Sequence, residues 1–451
     1  LNRNGRTEKN GQLAKNGKPE KNGKPARNGK LTPVLLRPAR LVGPSVVHAR
    51  FAKLLGSRFT RKNHAMLALA HSAVMGLRRS RAAIRGRGVN IFTQWVGDPD
   101  ALGSALLLRA ILLELGAAEV RILTGSLGHP QNRNLVERCG IELHHPNDGR
   151  LSRGLACMVD TSPPLGIGST GKVAPVKEYF FVADHHADPQ DVEQNCRDQG
   201  VRRVRLPYVG LPVGSTSAFM TVLGIAFGVM ERLGPEGRAA AALGIYTDTS
   251  ALLHGATPLD FRMFEKLTRD EATQDVLDSL RDYRVPPEWF SYRAAAFQNM
   301  EVTGQVRIAP VGFVRNEHRD VIAEIANELL RIEDTSIAVV VAVTERGVEV
   351  SIRADSRLLG GDSSRIVRVI DSLLSYAFPG VSGFKYQKRP PHRVEGGACV
   401  PHSEAEQRLW ALDPVPQTDL SLEQCRACSR ALVAALQDLK FAKPEEIQGV
   451  L

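Results

Sequence analysis

The sequence predicts an α/β protein: a mostly parallel sheet in an N-terminal domain, a smaller α/β C-terminal domain, and a cleft between them. Three observations carry this prediction. Apolar runs ("GVNIF", "EVRIL", "LACMV", "YFFVA") alternate with helix-forming segments from residue 88 to about 270. Strands that alternate with helices imply crossover connections and parallel pairing. Beyond a polar stretch broken by Pro286 and Pro287, a second rhythm begins: strand, amphipathic helix, then the hairpin pattern of "SIAVVVAVTERGVEVSIRAD".

The segments follow in order. Residues 1–40 open with Asn-Gly-Lys repeats and almost no apolar residue. They read as a disordered basic arm, because little burial is available to offset the entropy of ordering. Residues 41–87 are a basic helical segment, in which helix formers and apolar residues at three and four spacing are mixed with arginines. One reading packs these helices on the body with a solvated basic face. The other brings them to nucleic acid or an acidic membrane surface.

Residues 88–270 form the first α/β domain. "GVNIFTQWV", "EVRILTG", "LACMVD" and "YFFVAD" are its strands, and "STSAFMTVLGIAFGVMERLG" is a helix. A further helix leads into "LGIYTDTS". Residues 271–300 are a connector and residues 301–404 the second domain. Residues 405–451 are a loop and a closing helix.

Composition narrows the class. The chain has 451 residues, is 43% hydrophobic and has six scattered cysteines. That cysteine usage fits a reducing compartment better than a disulfide framework. No apolar run approaches the ~18–20 residues that span a bilayer, and the start lacks a continuous apolar segment, so a cytoplasmic location is expected. The net charge of +11 is unevenly placed. Residues 1–90 hold 21 Lys/Arg and 2 Asp/Glu, while the remainder is acidic.

The chemistry is carried by acids that follow apolar runs. "WVGDPDA" supplies Asp98 and Asp100, "CMVDTS" Asp160, "FVADHH" Asp184, His185 and His186, and "GIYTDTS" Asp248. In a parallel sheet, ligand sites lie beyond the carboxyl ends of the strands. One such acid by itself reads as a helix N-cap. Several delivered to one crevice repel strongly unless a divalent cation lies between them. Oxygen ligands with one or two imidazoles suit manganese, magnesium or iron. Two such ions sharing a carboxylate are an arrangement for phosphoester hydrolysis.

These residues resemble the motifs of the DHH phosphoesterase family. "DPDALGS", "VDTS", "ADHH" and "TDTSALL" match its four motifs in order, and the resemblance covers about residues 88–402. The family includes RecJ-like exonucleases, oligoribonucleases that also act on phosphoadenosine phosphate, and cyclic-dinucleotide phosphodiesterases. The second domain looks like the family's associated C-terminal domain, which clamps the nucleotide over the metals. "VSIRADS" is similar to its substrate-contacting strand, and "HRVEGGACVP" to the end of its glycine-rich loop.

The resemblance implies that Asp98, Asp100, Asp160, His185 and Asp248 hold two manganese ions, with magnesium compatible and Asp160 as the bridge. It implies that Asp184 orients His185 and that His186 contacts the scissile phosphate. It also implies substrate contacts from Arg353, His392, Gly396 and Gly397. One position departs: Gln94 stands four residues before Asp98, where the family usually has a metal-binding histidine.

The expected function is therefore hydrolysis of phosphoester bonds in short oligonucleotides or small nucleotides, by water activated between two metals. The alternative is a catalytically weak nucleotide- or nucleic-acid-binding protein that retains the fold. A polyphosphate or pyrophosphate hydrolase shares the first domain's chemistry but not the nucleotide-clamping second domain. Expected partners are the short nucleic acid or nucleotide itself and non-specific nucleic acid on the basic arm. A homodimer is compatible with the sequence.

Overall fold

The first sheet is built from β1 (Gly88–Phe92), β2 (Glu119–Leu123), β3 (Leu143–His144), β4 (Leu155–Val159), β5 (Glu178–Asp184) and β6 (Arg203–Val209). Their order is β3-β2-β1-β4-β5-β6, and every adjacent pair is parallel. The computed structural model describes residues 51, 55–147, 154–163, 176–186, 188–355, 385–389, 393–402 and 420–438, all of which fall in one unit, residues 34–451. The basic arm, His392 and the segment 356–384 lie outside the described residues.

The central strands β1, β4 and β5 are mostly apolar because both faces of the sheet are covered. On one face Ile91, Cys157, Val159 and Phe181 join the main core. On the other, Phe92, Met158, Tyr179 and Val182 pack with Val192 and Cys196. The principal helices of this domain are α1 (His64–Arg79), α2 (Pro99–Glu114), α3 (Pro130–Arg138), α4 (Pro189–Asp198), α5 (Thr216–Phe227), α6 (Gly234–Asp248) and α7 (Pro258–Leu267). α8 (Glu271–Arg281) and α9 (Glu288–Gln298) form the connector. No helix among the described residues is long and apolar enough to cross a membrane.

Strand order fixes where a site can form. From β1 the chain moves outward to β2 and β3, then returns to β4 beside β1 and proceeds to β5 and β6. Connections therefore leave β1 and β4 in opposite directions, and a crevice opens beyond their carboxyl ends.

Three expectations are corrected. β6 was not anticipated, because "RVRLPYV" mixes arginines and Pro207 with apolar residues. It is an edge strand, where charge and proline are tolerated. The helix expected to run from Ser215 to Gly234 stops at Phe227, because Gly228 takes a left-handed conformation (φ 73°). Asp248, expected at a strand end, is the last residue of helix α6.

The second sheet comprises β7 (Glu301–Thr303), β8 (Val306–Phe313), β9 (Ile337–Thr344), β10 (Gly347–Asp355), β11 (Lys385–Arg389) and β12 (Arg393–Pro401), in the order β11-β12-β10-β9-β8-β7. β8 and β9 are parallel, joined through α10 (Val321–Leu329), and the other pairs are antiparallel. Val321, Ile325 and Leu329 of α10 cover Ala338, Val340 and Ala342 of β9. β11 lies at the edge of the sheet and β12 inside it. Helix α11 (Leu420–Asp438) packs on β8 and β9. The loop before α3 rests on the second domain. A Cβ on Gly128 would sit 2.3 Å from Asp320 Oδ2, and the His129 ring meets Tyr283 and Trp289 edge-on.

Candidate metal centre

Each acid reaches the crevice by a different local device. Asp98 is the N-cap of α2, and its Oδ1 accepts from Ala101 N at 2.9 Å. Asp100, the second residue of α2, is buried. Its two carboxylate oxygens accept from the backbone amides of Thr216 (2.7 Å) and Ser217 (2.8 Å). Those amides open helix α5, where free N–H groups and the helix dipole favour an anion. Asp160 follows β4 with φ 58°, a left-handed backbone that aspartate tolerates better than most residues. Its Oδ1 accepts from Thr216 Oγ1 at 2.9 Å.

Asp248 arrives through a close helix crossing. Cβ atoms on Gly103 of α2 and Gly244 of α6 would lie 2.8 Å from Ala240 O and Asp100 Cα respectively. Only glycine lets the two backbones approach so closely. The crossing carries the end of α6 to the start of α2.

The two histidines at the end of β5 have different partners. His185 Nδ1 lies 3.3 Å from Val213 O, while Nε2 faces Asp248 Oδ2 (2.9 Å), Asp160 Oδ1 (3.6 Å) and Asp100 Oδ2 (3.9 Å). His186 is held by Asp184: Oδ1 accepts from the His186 backbone N–H at 3.0 Å and lies 3.1 Å from its Nδ1. Ser162 Oγ donates to the other oxygen of Asp184. The expectation that Asp184 orients His185 is thus corrected: Asp184 holds His186, and a backbone carbonyl holds His185. Adjacent residues leaving a strand point in different directions, so they meet different neighbours.

The electrostatics follow from crowding. Burial, and then the charge of Asp248, raise the Asp98 carboxyl to about 6. Burial and Asp248 also raise Asp100. Burial, Asp100, Asp98, Asp248 and Asp184 together push Asp160 well above the carboxylate range. Asp184 is lowered, because the bonds from His186 and Ser162 outweigh its burial. Burial works against a charged His185, yet Asp248 and Asp100 raise it to about 9. The signature is negative charge in excess of its compensation.

These residues fit divalent cations. Asp160, His185 and His186 offer ligand atoms within 4.8 Å of one another, as do Asp100, His185 and Asp248. His185 Nε2 is buried and faces three carboxylates, Asp248, Asp160 and Asp100. Asp160 feels the charge of all four other acids of the cluster, Asp98, Asp100, Asp184 and Asp248.

No protein-family model matches the chain. An uncharacterized protein of Methanocaldococcus jannaschii is 25% identical over 279 residues, 60% of this chain. The chain spans about half (53%) of that relative's length. An exopolyphosphatase-related protein from Bacteroides fragilis superimposes with a TM-score of 0.54 at 15% identity, over 82% of this chain and 98% of its own. The chain shares the fold of that exopolyphosphatase-related protein. Exonuclease RecJ bound to manganese aligns over 80% of this chain and 94% of its own, with 16% identity and a TM-score of 0.36.

Gln94 lies inside the cluster. Its Nε2 donates to Asp98 and lies 3.4 Å from Asp160 Oδ2. The second-domain residues are placed differently. Arg353 is buried on β10, where it donates to Asn327 Oδ1 at 2.9 Å and approaches Glu395 at 3.8 Å. Gly396 and Gly397 of β12 pair with Ile352 and Ser351 of β10. Sequence reasoning missed Thr216, Ser217 and Ser162. "GSTS" before an apolar run is a helix-start signature, but nothing local says that this helix start faces Asp100. It also missed Asp260, whose carboxylate accepts from Gly214 N and Ser215 Oγ at 2.9 Å and so braces the turn before α5.

Proposed function

We propose that the protein is a metal-dependent phosphoesterase acting on short oligonucleotides or small nucleotides. The observation that carries this reading is the convergence of Asp100, Asp160, His185, His186 and Asp248 at the switch point between β1 and β4. Asp98, Asp100, Asp160, His185 and Asp248 would hold two manganese ions, with Asp160 between them. When bound, the ions supply Lewis acidity and a nucleophilic water at neutral pH. His186, with Nδ1 fixed by Asp184 and its side chain 31% exposed, turns Nε2 toward the phosphate and stabilises charge there. Thr216 and the amides of α5 fix the carboxylates so that the site does not rearrange during turnover.

The test is hydrolysis with manganese of two- to five-nucleotide RNA and DNA, a cyclic dinucleotide, a nucleoside 3′,5′-bisphosphate and inorganic polyphosphate. Polyphosphate belongs in the panel because the Bacteroides protein is described as exopolyphosphatase-related. Turnover of polyphosphate alone would replace the nucleotide reading. Gln94 favours a second reading, a nucleotide-binding protein of weak activity, since an amide is a poorer ligand than imidazole. Binding without turnover across the panel would support it.

A further inference from the structure

We propose that the protein carries a second polyanion-binding face, remote from the metal centre, that grips the phosphate backbone of a single-stranded nucleic acid longer than the hydrolysed end. Residues 55–87 contain eight Lys/Arg and no Asp/Glu, and residues 199–210 contain Arg202, Arg203 and Arg205 and no acid. The structure joins these stretches. Gly76 of α1 packs on Leu206 of β6, and Ser72 Oγ lies 3.5 Å from Tyr208 Oη. The last turn of α1 and the segment after it thus run beside edge strand β6.

Arg79, Arg81, Arg85, Arg87, Arg202, Arg203 and Arg205 are exposed, and none of them has a carboxylate within 4 Å among the described residues. Two acids stand at the same end of the sheet: Glu178, in register with Arg203, and Glu119, in register with Gly88 and paired with Arg121. Elsewhere in the body Arg232, Arg238, Arg293 and Arg319 each lie against a carboxylate.

The fold sets the face apart from the site. Arg85 and Arg87 lead into β1, and Arg202 and Arg203 lead into β6. In a parallel sheet these are the amino ends of the strands, whereas the Asp/His cluster lies beyond the carboxyl ends. Five to seven residues of strand separate the two by roughly 20 Å. A nucleic acid held here is tethered outside the crevice and makes contacts that a dinucleotide cannot.

The chemistry favours nucleic acid over a membrane. Binding at a lipid surface by an amphipathic helix needs exposed apolar side chains beside the charges. α1 instead buries Met66, Leu67, Val74 and Leu77 in the core. Arginine's planar fork matches phosphate oxygens.

The test uses full-length protein in EDTA, which separates binding from turnover. Fluorescence anisotropy of a labelled twenty-nucleotide DNA strand is followed over a salt series for wild type, R81Q/R85Q/R87Q and R203Q/R205Q. We expect each variant to bind about ten-fold more weakly, with a salt slope shallower by about 0.7 for each contacting arginine lost. Hydrolysis of whichever short substrate the protein turns over should be unchanged. Unchanged affinity and slope in both variants would overturn the proposal, leaving the β6 arginines as guards against edge pairing. Loss of binding to anionic phosphatidylserine vesicles with unaltered DNA binding would overturn it in favour of a membrane. Wild-type binding to DNA without any turnover would leave this face standing and remove the phosphoesterase reading.

Discussion

Asp184 and His186 form a closed pair: one carboxylate oxygen meets both the backbone N–H and the ring Nδ1 of the same histidine, at 3.0 and 3.1 Å. His185 is anchored instead by Val213 O. The proposed function puts His186 on the substrate side of the site and His185 on the metal side.

The substitution Asp184→Asn tests that division. It weakens the grip on His186 and leaves the anchor of His185 intact. Activity should fall by about 10- to 100-fold, while the manganese midpoint stays nearly unchanged. A midpoint that rises in step with the lost activity would instead make His186 a metal ligand.

Asp160→Asn removes the charge most strongly opposed by its neighbours and keeps a residue that accepts a left-handed backbone. Hydrolysis and the manganese-induced rise in Tm should both disappear. The metal-free protein should melt no lower than wild type, because mutual repulsion has been reduced. A lower metal-free Tm would show that Asp160 stabilises the fold through its bond from Thr216.

Gly244→Ala places a methyl group 2.6 Å from Ser217 Oγ and 2.8 Å from Asp100 Cα. The helices must separate, at a cost of about 1–3 kcal/mol. Manganese affinity should fall as well, since Asp248 is carried on the displaced helix. Thermal melting and a manganese titration measure the two effects. Loss of stability with unchanged manganese affinity would remove Asp248 from the ligand set.

Gln94→His adds an imidazole where an amide now approaches Asp98 and Asp160. Half-maximal activity should come at lower manganese, with substrate preference unchanged. Equal metal dependence of the two proteins would mean that Gln94 spans the carboxylates without reaching a cation.

Much of this site was legible in the sequence, for a physical reason. Asp160 and Asp184 each end a buried apolar run, and in a parallel sheet such ends are neighbours, while Asp98 caps the helix that follows β1. Asp248 was found through its motif, but its element was misjudged, because "AALGIYTD" is equally apolar as helix or strand. β6 escaped because its arginines break the apolar pattern of an inner strand, and only an edge position permits them. Thr216 and Ser217 escaped because a helix start looks the same whether it faces water or a buried carboxylate. The pairing of Asp184 with His186 was decided by side-chain direction, which the order of residues does not encode.

The residues proposed as ligands enter the chain at Asp98, Asp160, His185 and Asp248, and no single described helix or hairpin holds all of them. Manganese at the proposed centre would therefore have no local foothold. The ribosome must release the chain beyond Asp248, and the helix crossing at Gly103 and Gly244 must form, before an ion finds its full shell. Contacts of such sequence separation form late. A nascent or truncated chain lacking α6 would lack Asp248, and ion capture at the proposed centre would report that the whole first domain has assembled.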